Sequence, residues 1–161
     1  MGSSYSKSYY GTKEQSQPYL KSYHVTSEML EYDKQRGVYD GSYSKNPTAI
    51  NITTSNIDYI YGKEANGNYT YVVNLEGEII VGKRNGNGRD GVATPHPTLI
   101  GGEDPQVKVA GIVTLKNGKI VSFDHMSGHY KPNIKSMKEA KEAFGKLPKE
   151  LFSKDYKGGK Q

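Results

Sequence analysis

The 161-residue sequence contains no cysteine and no tryptophan, and only three phenylalanines. The absence of cysteine excludes disulfides, thiol nucleophiles and cysteine-ligated zinc. No apolar run approaches the roughly 18 residues that cross a bilayer, so no membrane span is predicted. Residues 1–30 also contain no apolar stretch typical of a secretion signal. The sequence does contain 14 tyrosines, which must therefore supply most of the aromatic packing.

The positive charge of the chain is concentrated near its C-terminus. The net charge is +5, and residues 131–161 carry nine lysines against four acidic side chains, so the rest of the chain is neutral overall. A solvated lysine-rich face is the main interpretation, and a surface for nucleic acid or an acidic partner is the alternative. Residues 1–20 lack periodicity and predict a flexible linker. We therefore expect a linker over 1–20, a single catalytic domain over 21–152 and a basic tail over 153–161.

A short strand followed by a helix is predicted after the linker. The extended segment YHV at 23–25 leads into Thr26 or Ser27, either of which can cap a helix N-terminus. Gly37 is typical of a helix stop. The segment TAINITTS at 48–55 alternates in the manner of a strand.

Two hairpins follow in the sequence. The first spans 69–83 around Glu76-Gly77, and the second spans 107–124 around Asn117-Gly118, the residue pair favoured by a type I′ turn. A two-residue loop in the second hairpin sets two pairs of residues opposite each other: Leu115 with Ile120, and Ile112 with Phe123. Between the hairpins, PHPTLIGGEDP at 95–105 predicts a short extended segment with a proline at each end.

The last predicted element is a helix. Ser136 and Glu139 have the spacing of a capping box, and an apolar face ends before Pro148. The apolar face comprises Met137, Ala140, Phe144 and Leu147. The order helix, at least five strands, helix predicts an α+β fold with a largely antiparallel, twisted sheet.

Two histidines suggest metal-independent RNA cleavage. His96 and His129 each lie beside Pro or Gly, and two imidazoles can act as general base and general acid on a ribose phosphate. Lys131 or Lys108 would then stabilise the phosphorane. A histidine bonded to backbone in a turn is an equally good interpretation of either residue. No metal site is predicted, because the Ser-Gly pair between His125 and His129 argues against a helix that would align them.

The segment YHVTSEMLEYDKQRG resembles the first motif of the ADP-ribosyltransferases of the diphtheria-toxin and poly-ADP-ribose-polymerase class. In that class a strand-borne His binds the NAD ribose, a later Tyr stacks on nicotinamide and a Glu stabilises the cationic sugar. The resemblance, over residues 22–75, implies that His24 with Thr26, and Tyr59 or Tyr61, bind NAD. Glu103 is the candidate carboxylate, and Gln106 stands where a strand-borne Glu is expected.

A second resemblance covers residues 69–132. The succession HPTLIGG, VKVAG, NGKIVSFD and SGHYKP is similar to a module at the C-terminal tips of bacterial polymorphic toxins and in plant IQ-motif calmodulin-binding proteins. It implies a toxin or effector domain that is secreted, acts in a target-cell cytoplasm and meets a cognate immunity protein.

We therefore expect a monomeric toxin domain. ADP-ribosyl transfer from NAD to a macromolecule is preferred, with His96, Ser127 and His129 lining the same cleft and Tyr130 beside them. The alternatives are the His96/His129 ribonuclease and a non-enzymatic binding module with a tyrosine- and lysine-rich face.

Overall fold

A six-stranded sheet organises the molecule, flanked by an early helix and a late one. The computed structural model describes residues 16–55, 57, 61–86 and 94–159. The strand order is β1-β3-β2-β4-β5-β6, and every neighbouring pair is antiparallel except β5 with β6. The strands are β1 (Ile50–Asn51), β2 (Gly67–Val73), β3 (Ile79–Gly82), β4 (Val109–Lys116), β5 (Lys119–Phe123) and β6 (Gly158–Gly159). The predicted α+β class with a largely antiparallel sheet is confirmed.

Helix α1 spans Ser27–Arg36 and begins and ends as its sequence predicts. The Thr26 hydroxyl accepts a hydrogen bond from the Met29 amide at 3.4 Å, which satisfies a donor that the first turn leaves open. Gly37 adopts the left-handed conformation with φ of 77°, where a side chain would be strained. The strand expected before α1 is reduced to an isolated bridge between Tyr23 and Val107.

Helix α2 spans Met137–Gly145 and buries the predicted apolar face, but its capping box is absent. A single 3₁₀ turn, Ile134–Ser136, precedes the helix, and Ser136 makes no side-chain cap. The Ser136 hydroxyl instead lies 2.7 Å from the Tyr23 hydroxyl in the interior. The capping-box prediction was wrong because a buried tyrosine hydroxyl competes for the same serine.

The two faces of the sheet carry separate apolar clusters. Side chains alternate along β2, so Tyr71 and Val73 point into one cluster and Val72 into the other. The first cluster, the α2 face, packs the sheet against that helix. The second cluster, the α1-side face, includes Tyr23, Leu99 and Tyr130.

The β4–β5 hairpin has the predicted turn and an unpredicted bulge. Asn117 and Gly118 have φ values of 52° and 77°, as a type I′ turn requires, and Leu115 pairs with Ile120 as expected. The register then shifts by one residue, so Phe123 pairs with Val113 and not with Ile112. The prediction for Phe123 was therefore wrong, because a β-bulge adds one unpaired residue to β5.

Two further segments differ from simple expectation. Residues His96–Leu99 form a buried 3₁₀ helix where the prolines suggested an extended piece. Residues 153–159, where the sequence predicts a basic tail, follow the edge of the sheet and end in β6. The Ser153 amide donates to the Ile120 carbonyl, and the Lys157 amide donates to the Val121 carbonyl. Within the described ranges, no helix has the length and apolar character needed to cross a membrane.

Candidate functional site

The loop between β5 and α2 contains the candidate residues Ser127, His129 and Tyr130. It forms a turn in which all three side chains are buried. The Ser127 hydroxyl accepts a hydrogen bond from the Tyr130 amide at 3.3 Å, and the Ser127 carbonyl accepts one from the Lys131 amide at 2.7 Å. The Tyr130 hydroxyl donates to the Pro105 carbonyl at 2.7 Å. Burial raises the pKa of Tyr130 well above its usual value, so the phenol stays protonated. Ser127 therefore stabilises the turn itself, and Tyr130 anchors the turn to the segment that contains Pro105.

His129 belongs to a buried hydrogen-bond network with α1. Its Nε2 donates to Asp33 Oδ2 at 2.8 Å, and the Tyr43 hydroxyl donates to the same oxygen at 2.6 Å. Burial and the bond to Asp33 raise the pKa of Tyr43. The His129 carbonyl also accepts from the Thr26 amide at 2.8 Å. His129 thus holds α1 at its N-terminus and again at Asp33, and all three side chains of the network are buried.

His96 is equally buried and has a different partner. Its Nε2 lies 2.7 Å from the Gly111 carbonyl, so the ring must carry its proton there. Among the residues that the structure describes, its Nδ1 has no hydrogen-bond partner. Burial lowers the pKa of His96 to about 4, with further lowering by His129 and Arg84. At neutral pH this imidazole is uncharged, and its one ring proton is held in the bond to the Gly111 carbonyl. It therefore lacks the imidazolium proton that a histidine general acid donates.

His24 is the histidine that reaches solvent. Its side chain is 59% exposed, whereas His96, His125 and His129 are all buried. The Nδ1 atom of His24 lies 2.8 Å from Asp104 Oδ1. The neighbouring Thr26 caps α1 and so is committed to the helix.

A surface cavity of about 410 Å³ lies beside this pair. Its walls include the three carboxylates Glu76, Glu103 and Asp104, with Gln106 among the further lining side chains. Among the described residues of the lining, Lys45 is the single basic side chain. The cavity is consequently an acidic site, which favours cationic groups in a ligand or transition state.

Tyr61 lies away from this cavity. Its ring packs against the α2-face cluster, at 5.2 Å from the ring of Tyr69, and its hydroxyl lies 2.9 Å from the carbonyls of Thr48 and Val81. Burial raises its pKa. Asp104, the partner of His24, lines a cavity together with Leu99 and Ile100, which belong to the opposite, α1-side face of the sheet. The structure therefore does not bring Tyr61 together with His24, and Tyr59 lies outside the described residues.

Two residues near the acidic cavity were not among the sequence candidates. Asp104 orients His24, and its only sequence signal is its position next to Glu103. Tyr39 donates its hydroxyl to the Glu103 carbonyl at 2.9 Å, and its ring lies 4.8 Å from the ring of Tyr43, with 59° between their planes. Nothing in the spacing of Tyr39 and Glu103, which lie 64 residues apart in the chain, indicates this contact.

The described part of the chain contains no group of three or more His, Asp or Glu side chains arranged to hold a metal ion. The chain matches no protein-family model, no curated protein and no solved structure.

Proposed function

We propose that the chain is an effector-toxin domain that transfers ADP-ribose from NAD to a macromolecular target at the acidic cavity. One observation carries the proposal: His24, the exposed histidine, is held by Asp104 beside a cavity that Glu103 also lines. The resemblance of the segment around His24 to the first ADP-ribosyltransferase motif names the substrate.

The proposed reaction breaks the bond between the ribose C1′ and the nicotinamide nitrogen. The bonding electron pair leaves with nicotinamide, which becomes neutral, and positive charge develops on the sugar. A carboxylate close to that sugar lowers the barrier, because an electrostatic contact that strengthens in the transition state accelerates the step. In this proposal Glu103 supplies the charge and accepts the proton of the target nucleophile that bonds to C1′. His24 binds a ribose hydroxyl.

The charges of the cavity suit one half of NAD better than the other. The nicotinamide ring is cationic and the reacting sugar becomes so, which matches the carboxylates of Glu76, Glu103 and Asp104. The pyrophosphate is anionic, and Lys45 is the one basic partner that the described lining residues offer it. In this proposal Tyr39, whose hydroxyl donates to the Glu103 carbonyl, takes the aromatic role that the resemblance assigned to Tyr59 or Tyr61.

The ribonuclease alternative is less well supported by this geometry. Its two imidazoles would have to touch RNA, and both His96 and His129 have no exposed surface. The Nε2 atom of His96 is hydrogen-bonded to the Gly111 carbonyl, and that of His129 to Asp33. Delivery to a target-cell cytoplasm and inhibition by a cognate immunity protein belong to the proposal through the toxin-module resemblance alone.

The test is release of nicotinamide from labelled NAD in the presence of cell lysate. We expect Glu103→Gln to lower the rate by about 10²–10³-fold, the usual cost of removing one transition-state contact. Asp104→Asn should lower it by about tenfold, because Asp104 acts through His24.

The matched control is Glu64→Gln, an exposed glutamate outside the cavity lining. It should leave the rate unchanged. All three variants alter exposed side chains, so their circular dichroism should be that of the unmodified protein. Release of nicotinamide that is equally fast in Glu103→Gln, or no release by the unmodified protein with any lysate, would contradict the proposal.

A further inference from the structure

A second cavity, of about 530 Å³, lies between α2 and the last strand. None of its lining residues belongs to the acidic cavity. We call it the aromatic pocket, and it is lined by Phe123, Lys141, Phe144, Gly145, Leu147, Lys149, Phe152, Tyr156, Gly158 and Gly159. Its size falls within the range of about 300–1,000 Å³ typical of small-molecule sites.

The walls of the aromatic pocket are two pairs of rings. Phe123 and Phe144 stack at 4.1 Å with 7° between their planes, and Phe152 meets Tyr156 at 4.7 Å and 63°. The first pair is buried, so its position is fixed by the core, whereas Tyr156 is 40% exposed. The pocket therefore joins a rigid apolar wall to one that is in contact with solvent.

Glycine at the sheet edge keeps this wall in place. Gly159 pairs with Phe123 across the parallel β5–β6 ladder. A Cβ atom at Gly159 would lie 3.0 Å from a ring carbon of Phe123 and 3.0 Å from the terminal carbon of Met137. A side chain at this position would therefore require the Phe123 ring or the Met137 side chain to shift by a few tenths of an ångström.

The charged residues in the described lining of the aromatic pocket are both lysines. Lys141 and Lys149 are exposed, and no carboxylate is found among the described lining residues. Neither ammonium forms an ion pair or hydrogen bond with any residue in the described ranges. The two lysines are consequently available to an anion, in contrast to Lys146, which pairs with Glu142 at 3.8 Å.

We propose that the aromatic pocket binds a small molecule with a flat apolar body and a carboxylate group. The body would contact the stacked rings, and the carboxylate would meet Lys141 and Lys149. Aromatic walls contribute most of the contact area in such sites, and a few charged groups set orientation and selectivity. This site is independent of the acidic cavity and of the transferase proposal.

The experiment titrates the full chain with a naphthalene carboxylate and, separately, with the neutral naphthalene carboxamide, while amide NMR signals are followed. We expect saturable shifts at Gly158 and Gly159 and weaker binding of the carboxamide by threefold or more. Lys141→Gln combined with Lys149→Gln should weaken binding of the carboxylate by roughly three- to tenfold, since two exposed charge contacts are lost. The matched control, Lys146→Gln, changes an equally exposed lysine outside the lining and should bind as the unmodified protein does.

Three results would overturn the proposal: no saturable shifts, shifts centred on residues outside the aromatic pocket, or equal affinity for the carboxylate and the carboxamide. Since Tyr156 is partly exposed, Tyr156→Ala provides a second variant that should retain the fold. It should weaken both ligands together, because it removes apolar contact and no charge. Unchanged affinity in Tyr156→Ala would also count against the pocket.

Discussion

Histidines in this chain differ by what surrounds them. His24 pairs with Asp104 in solvent, where both side chains are more than half exposed, whereas His129 pairs with Asp33 with no exposed surface on either. The distances are the same, 2.8 Å. An exposed ion pair is screened by water and contributes about 0–1 kcal/mol, whereas breaking a buried pair leaves an uncompensated polar group. The contact between His129 and Asp33 therefore stabilises the fold, whereas the contact between His24 and Asp104 leaves the imidazole accessible from solvent.

Replacement of these two histidines should affect stability very differently. We expect His129→Ala to lower the free energy of unfolding by roughly 3–5 kcal/mol, because Tyr43 would be the one side-chain partner left to Asp33 within the described ranges. His24→Ala should cost at most about 1 kcal/mol. Urea unfolding followed by circular dichroism measures both, since the chain has no tryptophan. In the double variant His129→Ala/Asp33→Ala, the loss should be smaller than the sum of the single losses. Equal losses for His24→Ala and His129→Ala would refute this assignment.

At the scale of elements, the sequence predicted the helix ends and the turn that a few neighbouring residues determine. Helix α1 begins after Thr26 and ends at Gly37, and the Asn117-Gly118 turn fixes the start of the second hairpin. The bulge in β5 has no such signal, because it depends on what lies across the sheet. The shift places Phe123 opposite Val113, on the α2 face, where it stacks on Phe144. Packing across the core therefore determines the register at the end of the β4–β5 hairpin, which the turn sequence alone does not determine.

Two glycines should respond in opposite directions to the same substitution. Gly118 has a φ of 77° in the hairpin turn, so Gly118→Ala forces a side chain into the left-handed region and should cost about 1–2 kcal/mol. Gly145, the last residue of α2, has ordinary helical geometry and no atom within 4 Å of an added Cβ. Gly145→Ala should therefore stabilise the protein by about 0.5–1 kcal/mol. Thermal unfolding followed by circular dichroism compares the two, and a change of the same sign in both would contradict the conformations described.

At the scale of the whole molecule, the sheet separates residues that the sequence grouped together. Alternation along β2 sends the two apolar clusters to opposite faces, so His24 and Tyr61 cannot share one cleft as the motif implied. Three of the four histidines are interior, which no local pattern in the sequence reveals. The fold class could be predicted because it depends on element order. The composition of the site could not, because it depends on which face each element presents.

Burial of His96 should make the stability of the whole molecule depend on pH. The pKa of His96 is lowered from 6.5 to about 4 in the folded protein, so between these values the unfolded chain binds a proton that the native state does not. Stability should therefore fall as the pH is lowered through this window, by roughly 3 kcal/mol in total from this group, and level off above it. His96→Gln, which keeps a donor for the Gly111 carbonyl, should remove that part of the slope. Urea unfolding at several pH values tests this, and parallel stability curves for the variant and the unmodified protein would show that His96 titrates alike in both states.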